Sequence, residues 1–444
     1  MARLFGTDGV RGVANTELTC DLAFKLGQAA VAFKGKTILI GKDTRLSGDM
    51  LESAVAAGIM SMGGTALLAG IIPTPAIALL VRDLHCDGGI VISASHNPPE
   101  YNGIKIFDGQ GFKLPDAMED EIEAFVARGG AAADELPAGD AVGVALPVED
   151  ACERYIAHAV DTVAREGIRF DGLRVALDVG HGASCMTSAE ALRRLGADVV
   201  AINEDFDGTD INVQCGSTHL EPLRQLVAES GADVGIAHDG DADRVMLVDA
   251  QGAEIDGDVV EAVCALDLKQ RGLLAGNTAV STVMCNLGLS HALRDAGIDL
   301  IQTKVGDRYV LEAMREGGYV IGGEQSGHMI FLEHNSTGDG LVTALQFLAA
   351  CTRAGKTAAE AAAVMTRFPQ TLINVRVQDK HAVEGNAAVE AAVAAAEAEL
   401  GENGRVLLRP SGTEPVVRVM VEASDAAEAD RHAQAIAAVV EREV

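Results

Sequence analysis

The chain has 444 residues, of which 48% are hydrophobic and 3% aromatic, and its 65 acidic and 35 basic side chains give a formal net charge of -30. This length is too great for one ordinary domain, and we expect three or four domains with a large buried core. The negative field repels nucleic acid and anionic membrane surfaces, so an anionic substrate needs a local basic pocket.

Cysteine usage and hydropathy indicate the compartment. The eight cysteines are scattered singly, without a C-x-x-C pair, which predicts reduced thiols in a cytoplasmic protein. The opening MARLFGTDGVRG has no apolar signal core, and no stretch supplies the ~18 charge-free apolar residues of a membrane span. We therefore expect no nucleic-acid or membrane partner, and a monomer or a homodimer.

Three stretches repeat one pattern, in which a β-rich segment leads through a polar loop into a helix that ends near glycine, followed by an apolar strand. They are TILIGKDTRLSGDMLESAVAAGIMSMGGTALLAG, LRVALDVGHGASCMTSAEALRRLGADVVAI and TAVSTVMCNLGLSHALRDAGIDLIQT. The repeats predict α/β layers in which helices pack on mixed or parallel sheets. After residue 367 the pattern changes to an Ala/Glu-rich helix at 382–400, the strand pair RVLLRP and PVVRVMVEA, and a closing helix capped by Asp425. The tail is therefore predicted to be a small α+β domain.

Composition also predicts where the domains end. The segment 128–142 is rich in Gly, Ala and Asp without periodicity, so we expect a linker that closes the first domain. The QG turn in VMLVDAQGAEIDGD predicts a second boundary near 254. The predicted domains are 1–150, 151–254, 255–366 and 367–444.

The first polar loop, within VISASHNPPEYNGIKIF, holds Ser95 directly after an apolar strand. Ser95 lacks the flanking glycines of G-x-S-x-G, which disfavours acyl transfer. Pro98 and Pro99 stiffen the exit from the loop and keep Ser95 at the mouth of the strand. Taken alone, the loop is better interpreted as a polar turn whose hydroxyls bond their own backbone.

The second loop, AHDGDADRVMLVD, carries three alternating carboxylates, those of Asp239, Asp241 and Asp243. An extended loop with this spacing can aim all three at a hard cation such as Mg²⁺. An EF-hand is excluded because Arg244 and Ala250 stand where Gly and Glu are required. The alternative is a solvated acidic turn, which the spacing disfavours.

The third loop, IGGEQSGHMIF, places Glu324, Ser326 and His328 among glycines, and these side chains can bind sugar hydroxyls or an amine. An ordinary hairpin turn is the alternative interpretation.

The fourth loop, LRPSGTEPVVR, offers donors for a phosphate dianion. Taken alone, this loop is interpreted equally well as a phosphate-binding loop or as a polar hairpin. The candidate donors are Arg409, Ser411, Gly412 and Thr413, with Arg418 farther along the returning strand.

Taken together, these four loops and the opening FGTDGVRG resemble the α-D-phosphohexomutase superfamily in order and spacing over essentially the whole chain. The wordings ARLFGTDGVRG, KVGDRYV and GGEQSGH are typical of the bacterial branch that acts on glucosamine phosphate. Relatives that act on mannose or glucose phosphates usually carry other residues in the third loop, and a His where this chain has Asp307.

The resemblance implies an α/β fold of three similar domains with mixed sheets and a smaller C-terminal α+β domain, arranged around a central cleft. It implies an isomerase that moves phosphate between O6 and O1 of glucosamine through a phosphorylated Ser95 and a bound 1,6-bisphosphate. The product feeds UDP-N-acetylglucosamine and cell-wall precursor synthesis. The expected partner is a small sugar phosphate, and the expected cofactors are one Mg²⁺ per chain and a hexosamine or hexose 1,6-bisphosphate as activator.

The resemblance also assigns roles to residues. The expected metal ligands are Ser95, Asp239, Asp241 and Asp243. The expected catalytic residues are Ser95, His96, Lys105, Arg11 and Arg244, the last four neutralising the phosphate in transit. Lys105 and His96 are the better candidates for proton transfer, and the sequence does not choose between them. The alternative for each of these side chains is a place in a surface charge network. The expected substrate-binding residues are Glu324, Ser326, His328, Arg409, Ser411, Gly412, Thr413 and Arg418. Four further cations extend the basic lining or lie on the solvated surface: Lys42, Arg45, Lys304 and Arg308.

Three other functions remain open at this point. The first is the same chemistry with mannose or glucose 6-phosphate as the main substrate. The second is a sugar phosphatase, in which water takes the phosphoryl group. The third is a non-catalytic protein that binds a metal and a sugar phosphate, against which the intact Ser95 and aspartate triplet argue.

Overall fold

Four β-sheets with their connecting helices make up the regular structure of the described residues. The computed structural model describes residues 3–6, 8–411 and 415–444. The chain forms two compact units, one of Met1–Met284 with Gly297–Val364 and one of Cys285–Ala296 with Met365–Val444. Among the described residues, no helix combines the length and apolar character that crossing a membrane requires.

The first sheet has six strands in the order β1-β5-β4-β2-β3-β6. Strands β2, β3, β4 and β6 pair in parallel and β5 pairs antiparallel with β1 and β4, so the sheet is mixed. The strands are β1 (Val10–Val13), β2 (Thr37–Lys42), β3 (Thr65–Ile71), β4 (Gly88–Ile92), β5 (Tyr101–Asp108) and β6 (Val144–Pro147). The helices up to the next sheet are α1 (Cys20–Lys34), α2 (Gly48–Ser61), α3 (Thr74–Asp83), α4 (Asp116–Ala127) and α5 (Ala151–Ala164).

The core of this sheet follows from its sequence. Strands β2 and β4 are short apolar runs, and their isoleucines Ile38, Ile40, Ile90 and Ile92 are fully buried. Each buried side chain of this kind contributes about 1.5–3 kcal/mol. The central strands are therefore fixed, and the loops at their carboxyl ends are held in place.

The second sheet has the order β11-β10-β9-β7-β8 and is also mixed, because β9 pairs antiparallel with β10 and parallel with β7. Its strands are β7 (Arg174–Asp178), β8 (Asp198–Ile202), β9 (Val234–His238), β10 (Val245–Asp249) and β11 (Glu254–Ile255), and its helices are α6 (Ser188–Arg194) and α7 (Glu221–Ser230). The boundary expected at 254 falls inside β11, which still pairs with β10.

The third sheet has the order β13-β12-β14-β15, with parallel pairing except between β14 and β15. Its strands are β12 (Thr278–Thr282), β13 (Asp299–Thr303), β14 (Ile321–Gly323) and β15 (Met329–Phe331). The helices in this part of the chain are α8 (Gly257–Gln270), α9 (Leu287–Asp295), α10 (Asp307–Gly317), α11 (Gly340–Ala354) and α12 (Ala358–Ala362). Helix α9 belongs to the second compact unit.

The second unit contains an antiparallel sheet in the order β16-β18-β17. Its elements are β16 (Gln370–Arg376), α13 (Ala387–Leu400), β17 (Arg405–Pro410), β18 (Val416–Glu422) and α14 (Ala426–Glu443). The helix expected at 382–400 begins later, because the Asn386 side chain accepts from the backbone N–H groups of Ala388 and Val389 and so caps α13. The expected cap of α14 is confirmed, since Asp425 accepts from the N–H of Glu428. Three mixed sheets and a smaller antiparallel one confirm the predicted fold class.

Candidate functional site

Ser95 lies three residues beyond the end of β4 in a strained backbone conformation. Its φ is +51°, in the left-handed region that a residue with a Cβ adopts at some cost. The Ser95 N–H donates to Ser93 Oγ at 2.9 Å, and the Ser95 Oγ donates to Asp239 Oδ2 at 2.6 Å. The strand therefore ends so that the Ser95 hydroxyl is directed at the second loop.

A buried guanidinium holds this conformation. Arg45 follows β2, its side chain is 0% exposed, and all five of its N–H donors are used. The acceptors are Asp43 Oδ2 and the carbonyl oxygens of Ser95, Asn97, Pro98 and Tyr101. Asp43 Oδ2 also accepts from Ser93 Oγ, which in turn accepts from the Ser95 N–H. Both expectations for Arg45, in the cleft lining or on the solvated surface, are therefore wrong.

The other three of the four further cations named from the sequence, Lys42, Lys304 and Arg308, have different surroundings. Lys42 pairs with Asp49 and Glu52 on α2, and Arg308 pairs with Glu119 and Asp116 on α4. Lys304 is exposed in the loop after β13.

The second loop joins β9 to β10 and brings the three predicted carboxylates together. One oxygen from each of Asp239, Asp241 and Asp243 lies within 4.8 Å of the others, and all three residues are buried. Burial, with the carboxylates of Asp243 and Asp241 beside it, raises the pKa of Asp239 well above its ordinary value. Asp241 Oδ1 and Asp243 Oδ1 are buried without a hydrogen-bond partner among the described residues. Crowded carboxylates with unused oxygens fit a divalent cation such as Mg²⁺.

Lys105, on β5, is the fully buried cation next to this loop. Its Nζ lies 2.9 Å from Asp241 Oδ2, 2.9 Å from Asp8 Oδ2 and 3.5 Å from Asp243 Oδ2. Burial alone would lower the pKa of Lys105, but the carboxylates of Asp241 and Asp8 outweigh it and raise the pKa. Lys105 is therefore protonated at neutral pH.

The remaining predicted catalytic residues surround a cavity of about 460 Å³ in the first unit. Arg11 and Arg244 line it, and the Nε of each has no hydrogen-bond partner among the described residues. His96 also lines it, with Nδ1 3.3 Å from Ser95 Oγ. Burial, with Arg244 and Arg11 nearby, lowers the pKa of His96 to about 4, so its imidazole is neutral at pH 7. The cavity can hold an anion between two guanidinium groups.

The third loop is a hairpin between β14 and β15 that also reaches the cavity. Its tight turn requires Gly327, whose φ is +89° and whose added Cβ would lie 2.1 Å from the Val245 carbonyl oxygen. Glu324 lines the cavity and accepts from the Gly306 N–H at 3.2 Å. Ser326 is exposed at the tip.

His328 lines the cavity but is almost fully buried between two carboxylates. Its Nδ1 lies 3.6 Å from Asp243 Oδ2, and its Nε2 lies 3.5 Å from Asp307 Oδ2. Burial alone would lower the pKa of His328, but Asp243 and Asp307 raise it. The imidazole thus connects the third loop to the second, and its predicted contact with substrate stays a prediction.

The fourth loop lies in the second unit. Arg409 on β17 stands directly opposite Arg418 on β18, and burial together with Arg418 lowers the pKa of Arg409. Like charges at opposed positions destabilise a sheet, and a bound anion would relieve them. Ser411 donates its N–H to the Val416 carbonyl at 2.9 Å. Two predicted residues, Gly412 and Thr413, lie outside the described residues.

Several residues of the site were not identified from the sequence. Asp8, Lys113 and Asp307 line the cavity together with Arg3. Asp8 and Asp307 stand within the quoted segments FGTDGVRG and KVGDRYV, so their position was a usable signal, whereas Lys113 stands in no such segment. Two residues from elsewhere in the chain complete the surroundings: Asn212, which donates to the Ser95 carbonyl at 2.9 Å, and Thr74 at the start of α3, which donates to Asp241 at 2.5 Å.

The chain matches four family models in succession, those of the phosphoglucomutase/phosphomannomutase α/β/α domains I, II and III and C-terminal domain. The matched residues are 2–132, 153–252, 256–368 and 372–439. It is 53% identical to the phosphoglucosamine mutase of Moorella thermoacetica over 96% of both chains, and 51% identical to that of Clostridium novyi over 99% of both. A phosphoglucomutase/phosphomannomutase family protein from Burkholderia thailandensis has the same fold, with a TM-score of 0.84 at 24% identity over 99% of this chain and 97% of that one. The chain therefore belongs to the phosphoglucomutase/phosphomannomutase family.

Proposed function

We propose that this enzyme is an isomerase that interconverts glucosamine 6-phosphate and glucosamine 1-phosphate, the reaction of a phosphoglucosamine mutase. Full-length identity above 50% to proteins of that name supports the substrate. The observation that carries the chemistry is the 2.6 Å contact between Ser95 Oγ and Asp239, because it joins a nucleophile to a cation site beside the cavity that Arg11 and Arg244 line.

The proposed reaction has two phosphoryl transfers. In the first, the bond between Ser95 Oγ and phosphorus breaks, O1 of glucosamine 6-phosphate bonds to that phosphorus, and the O1 proton is removed. In the second, the resulting 1,6-bisphosphate presents its other end, its O6–phosphorus bond breaks, O6 takes a proton and Ser95 Oγ is phosphorylated again. The products are glucosamine 1-phosphate and the starting phosphoserine.

Phosphoryl transfer depends mainly on positioning and on neutralising charge. Mg²⁺ held by Asp239, Asp241 and Asp243 would supply much of that neutralisation. Arg11 and Arg244 line the cavity, and the Nε–H of each has no hydrogen-bond partner among the described residues. These two guanidinium groups are proposed to bind the transferring phosphoryl group. Lys105 adds a buried positive charge beside the same carboxylates.

The charge states of His96 and Lys105 indicate which of them transfers protons. His96 is neutral at pH 7 and lies 3.3 Å from Ser95 Oγ, so it is able to accept a proton there. Lys105 is held protonated by its carboxylate partners, which favours an electrostatic role. We therefore assign the proton relay to His96.

The two ends of the sugar phosphate need separate recognition. Glu324 has a backbone partner in Gly306 and an oxygen left for the sugar, and its carboxylate suits the ammonium of glucosamine. The opposed Arg409 and Arg418 are proposed to bind the distal phosphate, together with the loop from Ser411 to Thr413. Ser326 and His328 complete the proposed sugar-binding loop.

Replacing Arg45 by Lys tests how Ser95 is held. Lysine has three donors for the five acceptors that Arg45 satisfies, so at least two hydrogen bonds are lost, at roughly 0.5–1.5 kcal/mol each. We expect turnover to fall at least about tenfold and less Ser95 to carry phosphate, as measured by intact-protein mass spectrometry. Arg165→Lys, an exposed arginine paired with Asp161, is the matched control. Equal turnover in the two variants would refute this account of the loop.

Replacing Lys105 by Met tests the buried charge. The variant leaves three carboxylates without their common cation, so we expect the turnover number to fall at least about 100-fold. Steady-state kinetics at saturating Mg²⁺ measures it, and the melting temperature shows whether the variant remains folded. Full turnover in a folded variant would remove Lys105 from the mechanism.

Substrate competition tests the proposed function against its rivals. The protein is incubated with Mg²⁺, a trace of hexose 1,6-bisphosphate and equal amounts of glucosamine, glucose and mannose 6-phosphates, and ³¹P NMR follows the products. The proposal predicts that glucosamine 1-phosphate accumulates first. Preferential formation of glucose or mannose 1-phosphate would identify that sugar as the main substrate. Sustained release of inorganic phosphate would favour a phosphatase.

The proposal includes a cytoplasmic location, supported by eight cysteines that are all free of disulfides. Size-exclusion chromatography with light scattering decides between the predicted monomer and homodimer.

A further inference from the structure

A row of alternating charges runs through the wall of the cavity and joins the first α/β domain to the third. Lys105 Nζ lies 2.9 Å from Asp8 Oδ2, and Lys113 Nζ lies 2.5 Å from Asp8 Oδ1. On its other side, Lys113 Nζ lies 2.6 Å from Asp307 Oδ2. Lys113 is thus the central member of the row, and its side chain is only 11% exposed.

The two carboxylates that Lys113 bridges come from distant parts of the chain. Asp8 precedes β1, and Asp307 is the first residue of α10. Without Lys113, the mostly buried Asp307 would lose its closest cation, whereas Asp8 would keep Lys105 and Arg11. Lys113 therefore links the two domains at this point, beside the ion pairs that Arg308 makes with α4.

Asp307 and its neighbour Gly306 contact the two ends of the hairpin loop that carries Glu324. Its neighbour Gly306 donates its N–H to Glu324 Oε1 at 3.2 Å. Its own Oδ2 lies 3.5 Å from the Nε2 of His328, at the far end of the loop. A shift of Asp307 would consequently move Glu324 and His328 together.

We propose that Lys113 is a positioning residue for sugar recognition, which holds Asp307 against Asp8 and so sets the position of Glu324 relative to Ser95. This inference rests on the proposed function, in which Glu324 contacts the sugar. Neither Lys113 nor Asp307 needs to touch a reacting atom for this role.

Lys42 provides a matched control within the same domain. It also bridges two carboxylates, at 2.7 Å to Asp49 Oδ1 and 2.5 Å to Glu52 Oε2, and its side chain is 12% exposed. It lies outside the cavity lining. Lys42→Met thus removes the same kind of ion pair without touching the sugar loop.

The test compares KM, kcat and direct binding in the full-length protein. For Lys113→Met we expect KM for glucosamine 6-phosphate to rise about tenfold while kcat changes less than about threefold. The reason is that Glu324 contacts the sugar equally in the ground state and the transition state, so its displacement weakens both to the same extent. Calorimetric Kd for glucosamine 6-phosphate, measured in a Ser95→Ala background, should rise in parallel. Lys113→Arg should restore most of the affinity, since a guanidinium can bridge two carboxylates.

Asp307→Asn is a second variant for the case in which Lys113→Met does not fold. It breaks the same ion pair by removing a carboxylate, so no buried negative charge is left without its cation. We expect it to raise KM as Lys113→Met does, and the double variant to be no worse than either single one. Equal KM and Kd in Lys113→Met and Lys42→Met would overturn the inference, and so would a loss confined to kcat. An inactive parent protein would overturn the proposed function alone, because the Kd comparison still decides the role of Lys113.

Discussion

Replacing Ser95 by Ala is expected to reduce turnover by at least about 10⁴-fold, the largest effect of any single substitution. The reaction passes the phosphoryl group through this hydroxyl, and losing the nucleophile of a covalent mechanism removes nearly all of the catalysed rate. Ser95 Oγ is also the only atom by which this side chain reaches Asp239, at 2.6 Å. Phosphate on the protein, measured by intact-mass spectrometry, should disappear in the same variant.

The control for this variant is Ser53→Ala, which removes an exposed hydroxyl on α2 that bonds only to the Asp49 carbonyl among the described residues. Glucosamine 6-phosphate should still bind to Ser95→Ala, because the sugar loop and the guanidinium groups are unchanged. Turnover above about a tenth of the parent rate would mean that another group carries the phosphoryl group.

Replacing Asp241 by Asn is expected to have the second-largest effect. It removes one of three negative ligands, so the Mg²⁺ concentration for half-maximal activity should rise at least about tenfold, and turnover at fixed Mg²⁺ should fall about 100-fold or more. The same carboxylate accepts from Lys105 and Thr74, so part of the loss will persist at saturating Mg²⁺.

Metal binding can be measured independently of activity. Mg²⁺ should raise the melting temperature of the parent protein, because it binds the folded state and relieves the crowding of Asp239, Asp241 and Asp243. Asp241→Asn should lose most of this increment, while Asp161→Asn, at an exposed pair with Arg165, should retain it. A parent protein that is indifferent to Mg²⁺ and chelator in both assays would contradict the metal site.

The sequence predicted the parts of the fold that depend on local pattern. The buried strands β2 and β4 and the cap at Asp425 could be predicted because the apolar run or capping pattern that indicates each one spans only a few residues. The start of α13 was predicted too early, since an Ala-rich run does not show which polar residue will cap it. Helix α9 clusters with the second compact unit, where Asn286 at its start bonds to Glu422, and local pattern carries no such information. The predicted domain bounds stay a prediction.

The candidate site shows the same limit. The three aspartates were identified as a cation site because their motif is contiguous, whereas the role of Ser95 and its convergence with the aspartates followed from the family resemblance. Arg45 was misinterpreted because its partners lie about fifty positions away, on a loop that bends back over it. Lys113 was missed because its pair with Asp307 spans 194 positions. Ion pairs between distant segments need the fold before they can be predicted.

The most direct test of the central claim follows the phosphoryl group itself. The protein is labelled on Ser95 with ³²P, freed of small molecules, and mixed with excess glucosamine 6-phosphate and Mg²⁺ for a single turnover. The account predicts that the label leaves Ser95 and appears in glucosamine 1,6-bisphosphate and the glucosamine monophosphates, at a rate no slower than steady-state turnover. Label that stays on Ser95, or that appears only as inorganic phosphate, would contradict it.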